Sequence, residues 1–464
     1  MKEKYLLDNT KIIFIGSLLS KIINFTLISV YTKRLTVSEY GTIDIINSYR
    51  IILITIITCD IFSSITRFSL DKNKNKKDIL SIGTIVFMMS SIIYVLLFGI
   101  FKKIDIISPY AISIIFYLIT STLLKMLSSY VIGIEKTKLY SFINITQSIL
   151  VAVINIIFIK MSNFGINEYI FTQIIVNAII SSIIIYKEKI YMEISLKNIN
   201  RELLKKMIKY SFFFIPNSFF DLIIYSLDKL LLTYFISVNA NGLYAAANNL
   251  PYIIFCLSNI FNDSWMISNV KENENDEKEC FVNKILNYYF SLTIILISSF
   301  IIILKPFMKI YVSSSFYNSW IYAIPLLISS LFMAISTFIS NEYIANKDSK
   351  RYLYSSIVGA IVSLSLNLTL IPFIGIMGAA ITNCISSFVM LVYRYFDIKK
   401  YLKLNLFKKD NIISILLLII LGVISYFDNV FLDAIKIIIF LVILFLNNII
   451  LVKIKNRIIK KLKS

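Results

Sequence analysis

Apolar runs of about 20 residues recur with few interruptions from Ile12 to Val452, each long enough to cross about 30 Å of hydrocarbon as a helix. In lipid every backbone donor and acceptor must be satisfied within the segment, so a chain of this kind folds as a bundle of spanning helices. Composition agrees, at 58% hydrophobic and 16% charged, where soluble proteins average about 45–50% and 25%. The expected class is an all-α polytopic membrane protein with about fourteen spans.

Several chemistries drop out early. The chain has no histidine, which removes imidazole acid–base catalysis and imidazole metal ligands. The four cysteines, Cys59, Cys256, Cys280 and Cys384, are scattered without paired metal or redox spacing. No glycine-rich phosphate loop precedes a Lys-Ser/Thr pair. No cofactor is expected, and turnover would draw on Na⁺, H⁺ or the membrane potential. The polar start "MKEKYLLDNTK" leads into a full-length span without a small-residue cleavage site, so the first helix is expected to be retained.

Charge placement orders the spans. With the N-terminus inside, alternate loops and tails hold 35 of the 47 Lys and Arg residues on one side and 8 on the other. That contrast follows the positive-inside rule and puts both termini in the cytoplasm. The net charge of +20 then reflects topology and attraction to anionic membrane lipids, not nucleic acid.

The chain also reads as a duplication. "IFSSITRFS" (Ile61–Ser69) aligns with "IFNDSWMIS" (Ile260–Ser268), Gly41 falls over Gly242, and Asn155–Gly165 resembles Asn367–Gly375. Two parallel six-helix bundles are expected, 1–190 and 210–400. A basic amphipathic linker, 191–209, joins them along the inner surface, and 401–464 adds two helices and a basic tail. Among the spans, the second covers Thr42–Thr66 and the seventh Tyr210–Ile236. The eleventh and twelfth are Leu353–Ile371 and Ile376–Phe396, and the last pair Ile412–Tyr426 and Val430–Val452. Gly375, Gly378, Ala379 and Ala380 suit close helix packing.

Four basic residues lie inside spans: Lys21, Arg50, Lys125 and Lys229. A charge at a helix centre costs about 2.5–3.5 kcal/mol on insertion scales, so such residues mark functional sites or buried pairs. Lys21 shares a face with Ser17 and Asn24, and Lys125 with Thr122 and Ser129. Convergent cations suggest an anionic ligand, with Lys21, Asn24, Arg50, Lys125 and Lys229 as candidate contacts. The bland readings stay open: Lys21 against a carboxylate, Arg50 paired with Asp44 or Asp60, and Lys125 and Lys229 reaching an interface. Asp60, Asp221 and Asp228 are candidates for ion coupling or for balancing these cations, whereas Glu342 reads as interfacial.

"YTKRLTVSEYGTIDIINS" (Tyr31–Ser48), "LDKLLLTYFISVNANGLYAAANNL" (Leu227–Leu250) and "NLTLIPFIGIMGAAITNCIS" (Asn367–Ser386) together resemble the bacterial polysaccharide or O-antigen flippases. These belong to the multidrug/oligosaccharidyl-lipid/polysaccharide exporter superfamily, whose multidrug exporters share the two-bundle plan. The resemblance implies a protein of the bacterial cytoplasmic membrane that moves a polyprenyl-pyrophosphate-linked oligosaccharide to the outer leaflet by alternating access. A cation-lined central cavity would hold the pyrophosphate, and a polysaccharide polymerase and glycosyltransferases would be its partners. A lipid II flippase and a cation-coupled multidrug exporter of the same superfamily are the nearest alternatives. A membrane glycosyltransferase or polymerase fits less well, because the outer loops are short and the longest, Lys305–Ser319, has no carboxylate.

Overall fold

A computed structural model describes residues 2–71, 75–161, 164–194, 200–212, 226–271, 277–346 and 348–447. The described residues divide into two compact units, Met1–Leu222 and Ile223–Ser464. The first carries α1 (Lys2–Arg34), α2 (Val37–Ile57), α3 (Ile61–Ser69), α4 (Lys76–Leu96), the short α5 (Phe98–Phe101) and α6 (Ala111–Gly133). It continues through α7 (Thr137–Met161), α8 (Ile166–Lys187), the short α9 (Ile190–Glu193) and α10 (Arg201–Phe212). The second carries α11 (226–235), α12 (Val238–Ala247), α13 (Asn249–Lys271), α14 (Lys278–Tyr311), α15 (Trp320–Ala345), α16 (Ser349–Asp397), α17 (Lys409–Ile424) and α18 (Val430–Leu446). Among the described residues, 8 helical segments are long and apolar enough to cross a membrane. The protein is a polytopic membrane protein.

Each unit is built round one helix. In the first it is α6, against which α8, α3 and α4 pack, with Leu118, Leu127 and Val131 fully buried. In the second it is α15, flanked by α16, α13 and α14. There Trp265 stacks on Phe338 at 4.6 Å and Phe261 on Tyr289 at 4.3 Å. The linker helix α10 packs on α3 and α4 of the first unit, and α17 and α18 pack on α14 of the second.

The 49-residue α16 would be about 73 Å long if straight, far more than one bilayer. Gly375 breaks it at φ 59°, ψ −133°, a backbone conformation open to glycine alone. The chain doubles back there: a Cβ on Gly378 would lie 2.6 Å from the Leu370 carbonyl oxygen, and one on Gly359 would lie 3.0 Å from Met390 Sδ. The arms of this hairpin are the expected eleventh and twelfth spans, and Gly378 packs closely as its sequence context suggested.

Other expectations change. The second span is not one helix. It breaks at Thr58–Asp60, where Cys59 and Asp60 take φ of 48° and 47°, a left-handed region that costs an L-residue about 1–2 kcal/mol. The broken turn is held locally: Thr58 Oγ1 donates to the Ile54 carbonyl at 2.7 Å and Ser63 Oγ to Asp60 Oδ2 at 2.7 Å. Much of the seventh span, including Pro216, Ser218, Asp221 and Tyr225, lies outside the described residues.

Candidate functional site

In the first unit the polar interior is a chain of amides and phenols that ends at a guanidinium. Asn155 Nδ2 donates to Tyr31 Oη at 2.6 Å, and the Tyr31 ring meets Tyr169 edge-on at 5.6 Å. Asn47 joins the next two members, donating through Nδ2 to Tyr169 Oη at 3.0 Å and accepting from Tyr117 Oη at 2.9 Å. Arg50, nearly one turn after Asn47, lies with its Cζ 5.2 Å above the Tyr117 ring. A ring face attracts a cation but offers no lone pair. Arg50 Nε is buried without a hydrogen-bond partner among the described residues. Such a donor carries a desolvation cost that a ligand acceptor would offset.

Lys125 on α6 belongs to the same locality. Its Nζ lies 5.2 Å from the Phe62 ring, and its charge interacts with those of Asp60 and Arg50. The side chain is exposed on the unit. The structure thus brings Arg50, Lys125 and Asp60 together. Lys21 is half-buried and Asn24 exposed on α1, beside the seam where Ser20 Oγ reaches the Asn144 carbonyl on α7 at 2.7 Å.

The second unit treats its charges differently. Asp228, 3% exposed, accepts from Tyr244 Oη, from Asn383 Nδ2 at 2.8 Å and from the Lys229 backbone N–H at 2.8 Å. Asn383 Nδ2 also reaches Tyr244 Oη at 2.6 Å. Three segments, α11, α12 and the second arm of α16, meet on this carboxylate. The charge of Lys229 acts on it from the next position. Asp221, the third acidic candidate, lies outside the described residues.

Two buried charges escaped the sequence reading. Arg394, counted there with a loop, is 4% exposed. It donates to Ser355 Oγ at 3.0 Å, the Ser336 carbonyl at 3.1 Å and Ser356 Oγ at 3.3 Å. The in-span serines were its only signal. Glu342, near the end of α15, is 1% exposed and bonded to Lys278 Nζ at 2.6 Å. A cavity of about 730 Å³ beside α14 is lined by Glu279, Cys280, Asn283, Asn287, Tyr288 and Asn405 among others, and none of the in-span candidates lines it.

Comparison with known proteins sets these sites in a family. Residues 6–266 match the family described as polysaccharide biosynthesis protein. An uncharacterized membrane protein of Methanocaldococcus jannaschii is 24% identical over 319 residues, covering 65% of this chain and 61% of its own. The chain thus spans about three-fifths of that curated relative. Among solved structures, the lipid II flippase MurJ in an inward closed conformation superposes with a TM-score of 0.67 at 17% identity, over 95% of this chain and 99% of its own. A multidrug/oligosaccharidyl-lipid/polysaccharide superfamily transporter from Pyrococcus furiosus gives 0.59 at 12% identity, over 84% and 95%. The fold is that of this exporter superfamily.

Proposed function

We propose, from the premise that the chain belongs to the family of polysaccharide biosynthesis proteins, that it is a flippase for a polyprenyl-pyrophosphate-linked oligosaccharide. It carries this cargo from the inner to the outer leaflet of the bacterial cytoplasmic membrane, with both termini inside. The work is transport by alternating access, without bond chemistry. The cargo is an amphiphile whose junction bears the negative charge, so a carrier needs cations within the membrane that its own carboxylates do not consume.

One observation carries this reading: Arg50 is placed over an aromatic face with a buried Nε left unbonded, beside the exposed Lys125. Guanidinium and ammonium suit phosphate oxygens, the first as a planar fork and the second as a point charge. Asp60 tempers the local positive charge so that the headgroup can leave again. Lys21 and Asn24 on α1 would extend the contact along the headgroup and sugar. Asp228, with Asp221 as a second acid, would serve ion coupling. Binding a cation there would require Tyr244 or Asn383 to yield the carboxylate. Anionic lipids of the inner leaflet and the enzymes that build and polymerise the glycan would be partners.

The test is flipping of a fluorescent polyprenyl-pyrophosphate oligosaccharide in proteoliposomes. Arg50→Gln and Lys125→Gln should each lower the rate at least tenfold at equal protein content, and Arg50→Lys should recover part of it. An Arg50→Gln protein flipping at the normal rate overturns the reading. Lipid II, whose flippase shares the fold, offers the same pyrophosphate. Running both cargoes in parallel sorts them by sugar.

A further inference from the structure

The break in the second span is gripped from outside its own helices. Ser211 Oγ on α10 donates to the Asp60 carbonyl at 3.2 Å, and the Ser64 and Ser211 hydroxyls lie 2.5 Å apart. Ser64 Oγ also donates to the Met207 carbonyl at 2.7 Å. Both serines are fully buried. So α10 holds the joint at one left-handed residue and one turn beyond it.

The two faces of α10 have different chemistry. Leu203, Met207 and Ser211 are buried at steps of four, one stripe directed at α3. Round the helix, Arg201, Lys205 and Lys209 are exposed together with Ile208 and Phe212, which are 42% and 63% exposed. Lys206 is exposed too and pairs with Glu202 at 3.5 Å. Basic side chains interleaved with bulky apolar ones suit a helix lying in a headgroup layer. The bias of basic residues assigns this end to the inner leaflet, whose anionic lipids attract such a surface.

We infer that α10 is a clasp on the Thr58–Asp60 joint which anionic lipid headgroups hold shut. Lipid on Arg201, Lys205 and Lys209 seats the helix, seating keeps Ser211 on the Asp60 carbonyl, and the joint stays folded in its left-handed turn. Release of the lipid lets α10 lift and α2 bend relative to α3. Left-handed non-glycine residues persist only where surrounding structure over-determines them, and α10 supplies that hold here.

Amide hydrogen exchange of the full-length protein in nanodiscs tests this, comparing phosphatidylcholine alone with phosphatidylcholine plus phosphatidylglycerol. In the wild type, phosphatidylglycerol should slow exchange at Ile61–Ser64 by on the order of tenfold, and added salt should reverse the effect. The triple variant Arg201→Gln, Lys205→Gln, Lys209→Gln, altered only on the exposed face, should exchange at the fast rate in both lipids. Ser211→Ala should do the same, with Ser211→Thr restoring protection and α6 amides unchanged throughout. Equal wild-type exchange in the two lipids, or a triple variant that responds as the wild type does, overturns the inference. The readout involves no cargo, so it stands or falls independently of the flippase reading.

Discussion

The two units handle buried charge in opposite ways. In the second, Asp228 has three donors, Arg394 is ringed by hydroxyls and carbonyl, and Glu342 holds Lys278. Each of these charges has a bonded partner within the protein, with Glu342 Oε1 the one of their atoms buried without a partner among the described residues. In the first, Arg50 has a ring face and an unbonded Nε, and Lys125 a ring and an open side. A charge satisfied by its own protein contributes to stability, whereas one left for an outside partner contributes to binding. The two classes should therefore separate when each is removed.

The largest loss of stability is expected for Glu342→Ala, which strands a buried ammonium. Removing one partner of a buried pair costs about 3–5 kcal/mol, read as a fall in unfolding temperature in detergent. The double change Glu342→Ala, Lys278→Met should recover most of it, and failure to recover would place the cost elsewhere. Next comes Tyr244→Phe, which takes one of three donors from Asp228 and leaves Asn383 and the Lys229 backbone N–H to serve it, at about 1–3 kcal/mol. Arg50→Gln gives up a ring-face contact and relieves a buried unbonded Nε, so it should change stability by no more than about 0.5 kcal/mol, the low end for a cation on a ring face. If Arg50→Gln destabilised as much as Tyr244→Phe, the contrast between the units would collapse.

The smallest effect lies at an exposed loop of the second unit. Tyr401 Oη donates to Asp348 Oδ2 at 2.6 Å, and this bond, with the Arg351 backbone N–H and charge, holds the Asp348 carboxyl below the ordinary carboxylate range. A depressed folded value means that stability is present above the unfolded pKa and is lost as pH falls through the folded one. Tyr401→Phe should move Asp348 back toward its ordinary value in a carboxyl NMR titration and soften the acid limb slightly. An unmoved titration would show that Arg351 alone sets it.

Much of this architecture was legible because lipid leaves few choices. Apolar length marks a helix. Two apolar runs, Leu353–Ile371 and Ile376–Phe396, marked two spans, whereas Gly375, read there for close packing, is the break itself, with open space where a Cβ would stand. The break at Thr58–Asp60 was not legible: the apolar pattern runs on through it, and neither glycine nor proline flags it. Beside the local bonds of Thr58 and Ser63, the turn takes a hydrogen bond from Ser211, 151 positions away from Asp60, which no local pattern announces. Arg394 and Lys278 were misplaced for a related reason. Each stands near the end of a span, where a boundary shifts by a turn, and their partners lie 39 and 64 positions away. Arg50, deep within an apolar run, stood out because cost alone exposes such a residue.

The central claim is that the first unit's cations answer to a ligand and the second unit's to the protein. Ligand-induced stabilisation in detergent tests it most directly, with a short-chain polyprenyl pyrophosphate as probe. At a hundredfold excess over Kd the wild type should gain about 2.7 kcal/mol. Arg50→Gln should start from the same unfolding temperature and gain almost nothing, while Tyr244→Phe should start lower and gain as much as the wild type. An Arg50→Gln protein that the pyrophosphate stabilises as fully as the wild type would contradict the account.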